Sequence, residues 1–208
     1  TVVDVGARLW PQIKAGARFA REEPGCRTAI LLASLMALTA SPFIALIPAI
    51  AVKVFDGDAG TTSVLVTAQG IGAVTAALAV TPLAERYGRV RMLMLFLGLL
   101  LPGALVLYAS APALWLAVVG LAVVGGCYIS CLSGLNLVVQ LRAPAHLRGR
   151  LVSLYFVSVG VLYPIGAVLQ GRLADAIGLR WVTAGGAVVL AATVCAVRVW
   201  APATVAAL

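Results

Sequence analysis

The residues best equipped for chemistry sit in one short stretch, Thr81 to Met92, where Glu85, Arg86, Arg89 and Arg91 crowd a tight turn between two long apolar runs. A carboxylate among guanidinium groups can hold helix ends in one arrangement and release them on protonation. The competing use is simpler: arginines beside an apolar run fix topology and touch lipid phosphates. A second group is uncharged and lies inside apolar runs: Thr39, Ser41, Phe43, Gln69, Tyr128, Ser130, Ser133, Asn136, Tyr155 and Tyr163. A polar side chain in lipid is costly without a partner, so bonding to a neighbouring helix is the leading reading for these residues.

Enzyme chemistry finds little purchase. The lone His146 lies in the Arg142 to Arg150 loop, away from Ser133-Gly134, so a serine nucleophile lacks a paired base within a helix. No Gly-x-x-x-x-Gly-Lys-Ser/Thr loop is present to bind a nucleotide. Cys26, Cys127, Cys131 and Cys195 match neither a secreted disulfide pattern nor a metal spacing and read as small apolar side chains. The sequence therefore predicts no enzyme, no cofactor and no metal site. Asp4, Glu22, Glu23, Asp56, Asp58, Glu85 and Asp175 all fall in loops or terminal segments, which leaves no carboxylate in the apolar runs to relay protons.

The elements that must position these residues follow from composition. At 62% hydrophobic and 11% charged residues, with a mean hydropathy of +1.09, 208 residues hold more apolar surface than one soluble core can hide. A helix needs roughly 20 apolar residues to cross about 30 Å of hydrocarbon. Six stretches qualify, near 28–54, 63–83, 92–110, 113–141, 151–170 and 181–200. Runs such as Met92 to Leu107 are apolar on every face, unlike the alternating strands of a membrane barrel. The expected fold is an all-α polytopic membrane protein.

The net charge of +8 is spread over short loops rather than one soluble patch, so nucleic acid is not an expected partner. Twelve basic residues fall before the first run, after the second and fourth, and at the end of the sixth; only Lys53, Arg172 and Arg180 occupy the other side. The positive-inside rule then predicts a multi-pass protein of the cell membrane with both termini cytoplasmic. Residues 1–27 read as a cytoplasmic segment, with Trp10, Ile13, Ala17 and Ala20 at helical spacing and Arg8, Lys14, Arg18 and Arg21 between them, a pattern for a helix lying on the inner membrane surface. A plain disordered arm is the alternative. Residues 28–200 form the membrane domain and 201–208 a short cytoplasmic tail.

Ser41-Pro42 and Ile47-Pro48 predict a kinked or broken first helix, since each proline removes a backbone donor. Freed carbonyls inside a membrane need either protein or a water-filled cavity, unless neighbouring helices heal a lipid-facing kink. Gly126, Ser130 and Gly134 in the fourth run, and Gly166, Gln170 and Gly171 late in the fifth, predict close helix contacts. Leu83-Ala-Glu-Arg-Tyr-Gly-Arg89 aligns with Leu173-Ala-Asp-Ala-Ile-Gly-Leu179, each after the second run of a triplet. Three spans per unit inverts the second triplet, giving two inverted three-helix repeats.

The loop containing Glu85, Arg86, Gly88 and Arg89 resembles the Gly-x-x-x-Asp-Arg-x-Gly-Arg-Arg motif of the major facilitator superfamily. It departs at Thr81 for the leading glycine, at Glu85 for aspartate and at Val90 for the last basic position. Gln140 to Arg150 and Pro164 to Asp175 further resemble a bacterial exporter branch that includes siderophore and macrolide efflux proteins. The resemblance implies that this is the second motif copy, so the six spans correspond to a carboxy-terminal half. The missing amino-terminal six-helix half, or a second half-size chain, becomes an expected partner beside the lipid bilayer and a small-molecule substrate, and a fragment or truncated product is the favoured origin. It implies a gating role for Glu85, Arg86, Gly88 and Arg89. It also implies a substrate cavity drawn from Thr39, Ser41, Phe43, Tyr128, Ser130, Ser133 and Asn136, with Gln69, Tyr155 and Tyr163 as second choices. The function implied is ion-gradient-driven efflux of a small amphipathic molecule by alternating access. The alternative is a non-transporting six-span remnant that packs with another membrane protein.

Overall fold

The computed structural model describes residues 16–200, 202–206 and 208. Arg8, Trp10, Ile13 and Lys14 of the expected amphipathic segment lie outside the described residues. Residues 16–22 are helical, with Arg18 Nε 2.7 Å from Glu22 Oε1 one turn away. That exposed pair holds the Arg18 pKa above its ordinary value through the hydrogen bond and the charge of Glu22.

Six helical spans long and apolar enough to cross a membrane follow: Pro24–Phe55, Ala59–Val80 within a helix that runs on to Tyr87, Arg89–Ser110, Leu114–Arg142, Arg148–Ile177 and Leu179–Trp200. No strand occurs among the described residues. The chain is an all-α multi-pass membrane protein, as its apolar runs require. The second and fifth helices overrun their expected ends at 83 and 170, because nothing before Gly88 and Gly178 breaks them. At those glycines φ is 89° and 94°, backbone that L side chains rarely adopt, and the next helix starts one residue later. Each glycine N–H caps its helix by donating to a carbonyl four residues back, Ala84 and Ala174.

Gly88 and Gly178 stand 90 residues apart, each linking the second span of a triplet to the third. The packing follows the same relation: the first span lies against the fifth, the second against the fourth, and the third against the sixth. Two equivalent three-span units thus interlock with opposite chain direction, as an odd number of crossings per unit demands.

Lipid gives no hydrophobic drive between helices, so close backbone approach must supply the contacts. The second and fourth spans meet at Gly72, Gly125 and Gly126. A methyl at Gly72 would overlap the Ala122 carbonyl oxygen, and one at Gly125 the Gln69 carbonyl oxygen. Gly134 backs onto Leu93 Cδ1, where a Cβ would sit at 3.0 Å. Gly166 packs equally closely, but Gly171 does not: nothing lies within 4 Å of a Cβ built there.

The first span breaks once. Helix Pro24–Thr39 stops, Ala40 to Pro42 form a turn, and helix Phe43–Phe55 resumes and carries Pro48 within it. Pro42 has no N–H for the Leu38 carbonyl. The Phe43 N–H turns instead to Ala40 O at 3.2 Å, which frees the Thr39 carbonyl. Both freed oxygens meet Gln170 Nε2 of the fifth span, at 3.3 Å for Leu38 and 2.8 Å for Thr39. The break is therefore a buried helix junction and not a lipid-facing kink. The third span contains a π turn, Phe96–Leu100, just ahead of Pro102, which cannot donate to Gly98.

Candidate transport site and junctions

Around the break, Gly166 lies against the Leu38 carbonyl and Gly186 of the sixth span against that of Thr39. Side chains there would push the spans apart and pull Gln170 off its acceptors. Ser41 is fully buried and donates from Oγ to Met36 O at 3.1 Å, which also accepts the Ala40 and Ser41 N–H groups. Immediately beyond the break, Phe43 packs edge-on against Tyr128 of the fourth span, with centroids 5.6 Å apart and planes at 79°. Ser41, Tyr163 and Cys131 lie close enough to the Tyr128 hydroxyl to act on it electrostatically.

The structure thus gathers Ser41, Phe43, Tyr128 and Tyr163 from three spans, at the point where the first span loses helical regularity. Thr39 adjoins the group, but its hydroxyl is spent on Leu35 O at 2.8 Å. Tyr155 is buried beside it and donates to Leu132 O at 2.7 Å, which fixes the fifth span against the fourth. Asn136 Oδ1 accepts from Gln140 Nε2 on its own helix, while its Nδ2 is buried without a partner. Gln69 is half-buried at the contact of the second and fourth spans.

Ser130 and Ser133 belong elsewhere. With Gly134, Leu137 and Leu141 they recur at helical spacing along a different face of the fourth span. That face lines a cleft of about 230 Å³ shared with Ala84, Arg89, Leu93 and Phe96. The Ser130 hydroxyl donates to Gly126 O at 2.8 Å. A one-dimensional sequence ranks every polar residue of one helix together, and only the angular position separates them.

At the Gly88 junction Glu85, Arg86, Gly88 and Arg89 are all exposed. Arg86 stacks on Tyr87 with its guanidinium carbon 5.5 Å from the ring centroid. Among the described residues no ion pair joins Glu85 to either arginine. The opposite end is tied more tightly. Arg180 donates to Ala111 O at 2.8 Å and lies 5.9 Å over the Phe55 ring, linking the sixth span to the first and to the third-to-fourth loop. Lys53 Nζ comes within 3.6 Å of Asp175 Oδ1, an exposed pair between the first and fifth spans. Asp58 caps the second span by accepting from the Thr61 N–H at 2.9 Å, and those bonds hold its carboxyl below its ordinary pKa. The sequence carried a signal for Gln170, a strong hydrogen-bonding group alone in an apolar stretch; Arg180 had none beyond its charge.

All six spans fall within the reach of one family model. The model for transmembrane secretion effectors matches residues 5–207. The chain belongs to this family of major facilitator transporters. Its members are transporters and not enzymes. Among curated proteins, the chain is 38% identical over 96 residues to the multidrug efflux pump Tap of Mycolicibacterium fortuitum, covering 46% of the chain and 24% of that protein. It is 32% identical over 123 residues to the glucose transporter GlcP of Staphylococcus epidermidis, covering 58% of the chain and 27% of that protein. The matched segments span about a quarter of the length of these curated relatives. No solved structure matches the chain.

Proposed function

We propose that this chain is one half of an alternating-access exporter in the cell membrane, with the Gly88 end cytoplasmic and a small amphipathic molecule as cargo. The observation that carries the reading is the broken first span, with Ser41, Phe43, Tyr128 and Tyr163 gathered beside it. Discontinuous helices packed between inverted repeats are where transporters of this design hold their substrates. Aromatic faces next to hydroxyls suit a molecule with one apolar and one polar side. Export is supported by the secretion-effector match and by the likeness to an efflux pump. Twelve basic residues against three support the orientation.

A second half is supported by exposure. In the most apolar stretch of the second and fifth spans only 17% of residues are buried, against 56% in the first, third and fourth. Those two spans flank the bundle and offer the faces on which a companion six-span unit would rock. The Glu85 to Arg89 turn would gate the cytoplasmic end.

The test is dye efflux from cells expressing the chain with its six-span companion, ethidium being the outward probe and labelled glucose the inward one. Ethidium efflux that falls on Tyr128→Ala and is lost on Arg86→Ala or Gly88→Val, with membrane insertion intact, is the expected result. Unchanged efflux in the Arg86 and Gly88 variants would remove the gating role. Glucose uptake without dye efflux would overturn export.

A further inference from the structure

The cleft lined by Ser133 is separate from the aromatic group at the broken span. Tyr128 and Leu132, which meet the first and fifth spans, lie on another side of the fourth helix from Ser133, Leu137 and Leu141. The cleft instead lies between the second, third and fourth spans, and Leu208 also lines it. Its depth is apolar: Leu93 is buried, Phe96 is half-buried, and Leu137 and Leu141 are exposed along one wall. Its mouth lies at the Gly88 junction, where the helix end brings Arg89 into the lining and Arg86 and Arg91 onto the adjoining exposed turn.

The charge at that mouth is unanswered. Among the described residues Arg89 and Arg91 make no ion pair, and Glu85 on the same turn turns neither into a bridge. A volume of about 230 Å³ is smaller than the ~300–1,000 Å³ of pockets that enclose drug-sized ligands. It suits a slender apolar segment entering from the side, whose head stays at the membrane surface beside a cation. We propose that this cleft binds an acidic phospholipid, with part of one acyl chain between Leu93, Phe96 and Leu137 and the phosphate on Arg89 and Arg91. Basic side chains at a helix end attract anionic headgroups, and the chain contacts add van der Waals contact in a space that would otherwise lack partner atoms. Because the cleft touches the second, third and fourth spans together, such a lipid would brace the Gly88 junction from outside the substrate route.

The experiment uses the purified chain in nanodiscs doped with phosphatidylglycerol that carries a diazirine on one acyl chain, followed by mass-spectrometric mapping of the adducts. Labelling is expected to concentrate between Met92 and Phe96 and between Ser133 and Leu141, and to exceed that from the matching phosphatidylcholine probe. Arg89→Gln should lower it about fivefold, the factor that corresponds to about 1 kcal/mol per basic side chain near an anionic surface. Ala84→Leu, which fills the cleft without touching the charge, should lower labelling by both probes, and circular dichroism checks that each variant stays helical. Equal labelling by the two headgroups, or adducts spread along all exposed spans, would overturn the proposal. So would competition by inorganic phosphate alone, which would reduce the site to an anion contact.

Discussion

Replacing Gln170 by Leu keeps the side-chain volume and removes the donor that serves two carbonyls orphaned by Pro42. Both oxygens are partly buried at the packed junction, so the variant leaves them without their protein partner. Interhelical hydrogen bonds in membranes average about 0.6 kcal/mol and reach about 1.7 kcal/mol, so two of them bound the loss at about 1–3 kcal/mol. The 2.8 Å bond to Thr39 carries more of it than the 3.3 Å bond to Leu38. The loss can be read as a shift in the midpoint of reversible unfolding in mixed detergent micelles. A double-mutant cycle sharpens the test. Pro42→Ala restores an N–H for the Leu38 carbonyl, so Gln170→Leu should cost less in that background than in the parent. If Gln170→Leu leaves the midpoint unchanged, or costs the same with and without Pro42, the carbonyls are satisfied in another way and the account of the break is wrong.

Two further outcomes follow from close packing and capping. Gly72→Ala drives a methyl into the Ala122 carbonyl and should destabilise by about 1–3 kcal/mol, while Gly171→Ala meets open space and should be neutral or slightly stabilising. The same micelle unfolding assay compares them, and equal effects would contradict the packing of the second span on the fourth. Asp58 works in the opposite sense from a raised group. Its folded pKa is depressed by the Thr61 bonds, so the cap is present above the ordinary carboxylate range and is lost as pH falls through the lowered value. The protection of the Thr61 and Thr62 amides, measured against their intrinsic exchange rate at each pH, should therefore fall in acid in the parent and show no such step in Asp58→Ala.

The likeness of Leu83–Arg89 to Leu173–Leu179 was legible in the sequence because both turns need a glycine at positive φ, a demand that few other residues meet. The spans were legible because a bilayer imposes one length and one polarity on every crossing. The surroundings of the candidate cavity residues were not legible. Helical spacing says which residues share a face but not what that face meets, so Ser130 and Ser133 were grouped with Tyr128 until packing put them on different flanks.

The sequence by itself determined the crossings, the asymmetry of charge between the two membrane sides, the proline break and the inverted pairing of the triplets. Each is a local or composition-driven property, fixed by the cost of bare backbone and bare charge in hydrocarbon. Only the tertiary structure decided that Gln170 heals the break, that Arg180 ties the far end, and which polar side chains meet across spans. Those depend on the rotation and depth of each helix, which in lipid are set by a few glycine contacts such as Gly72 on Ala122 and Gly186 on Thr39. No pattern along a single helix encodes them.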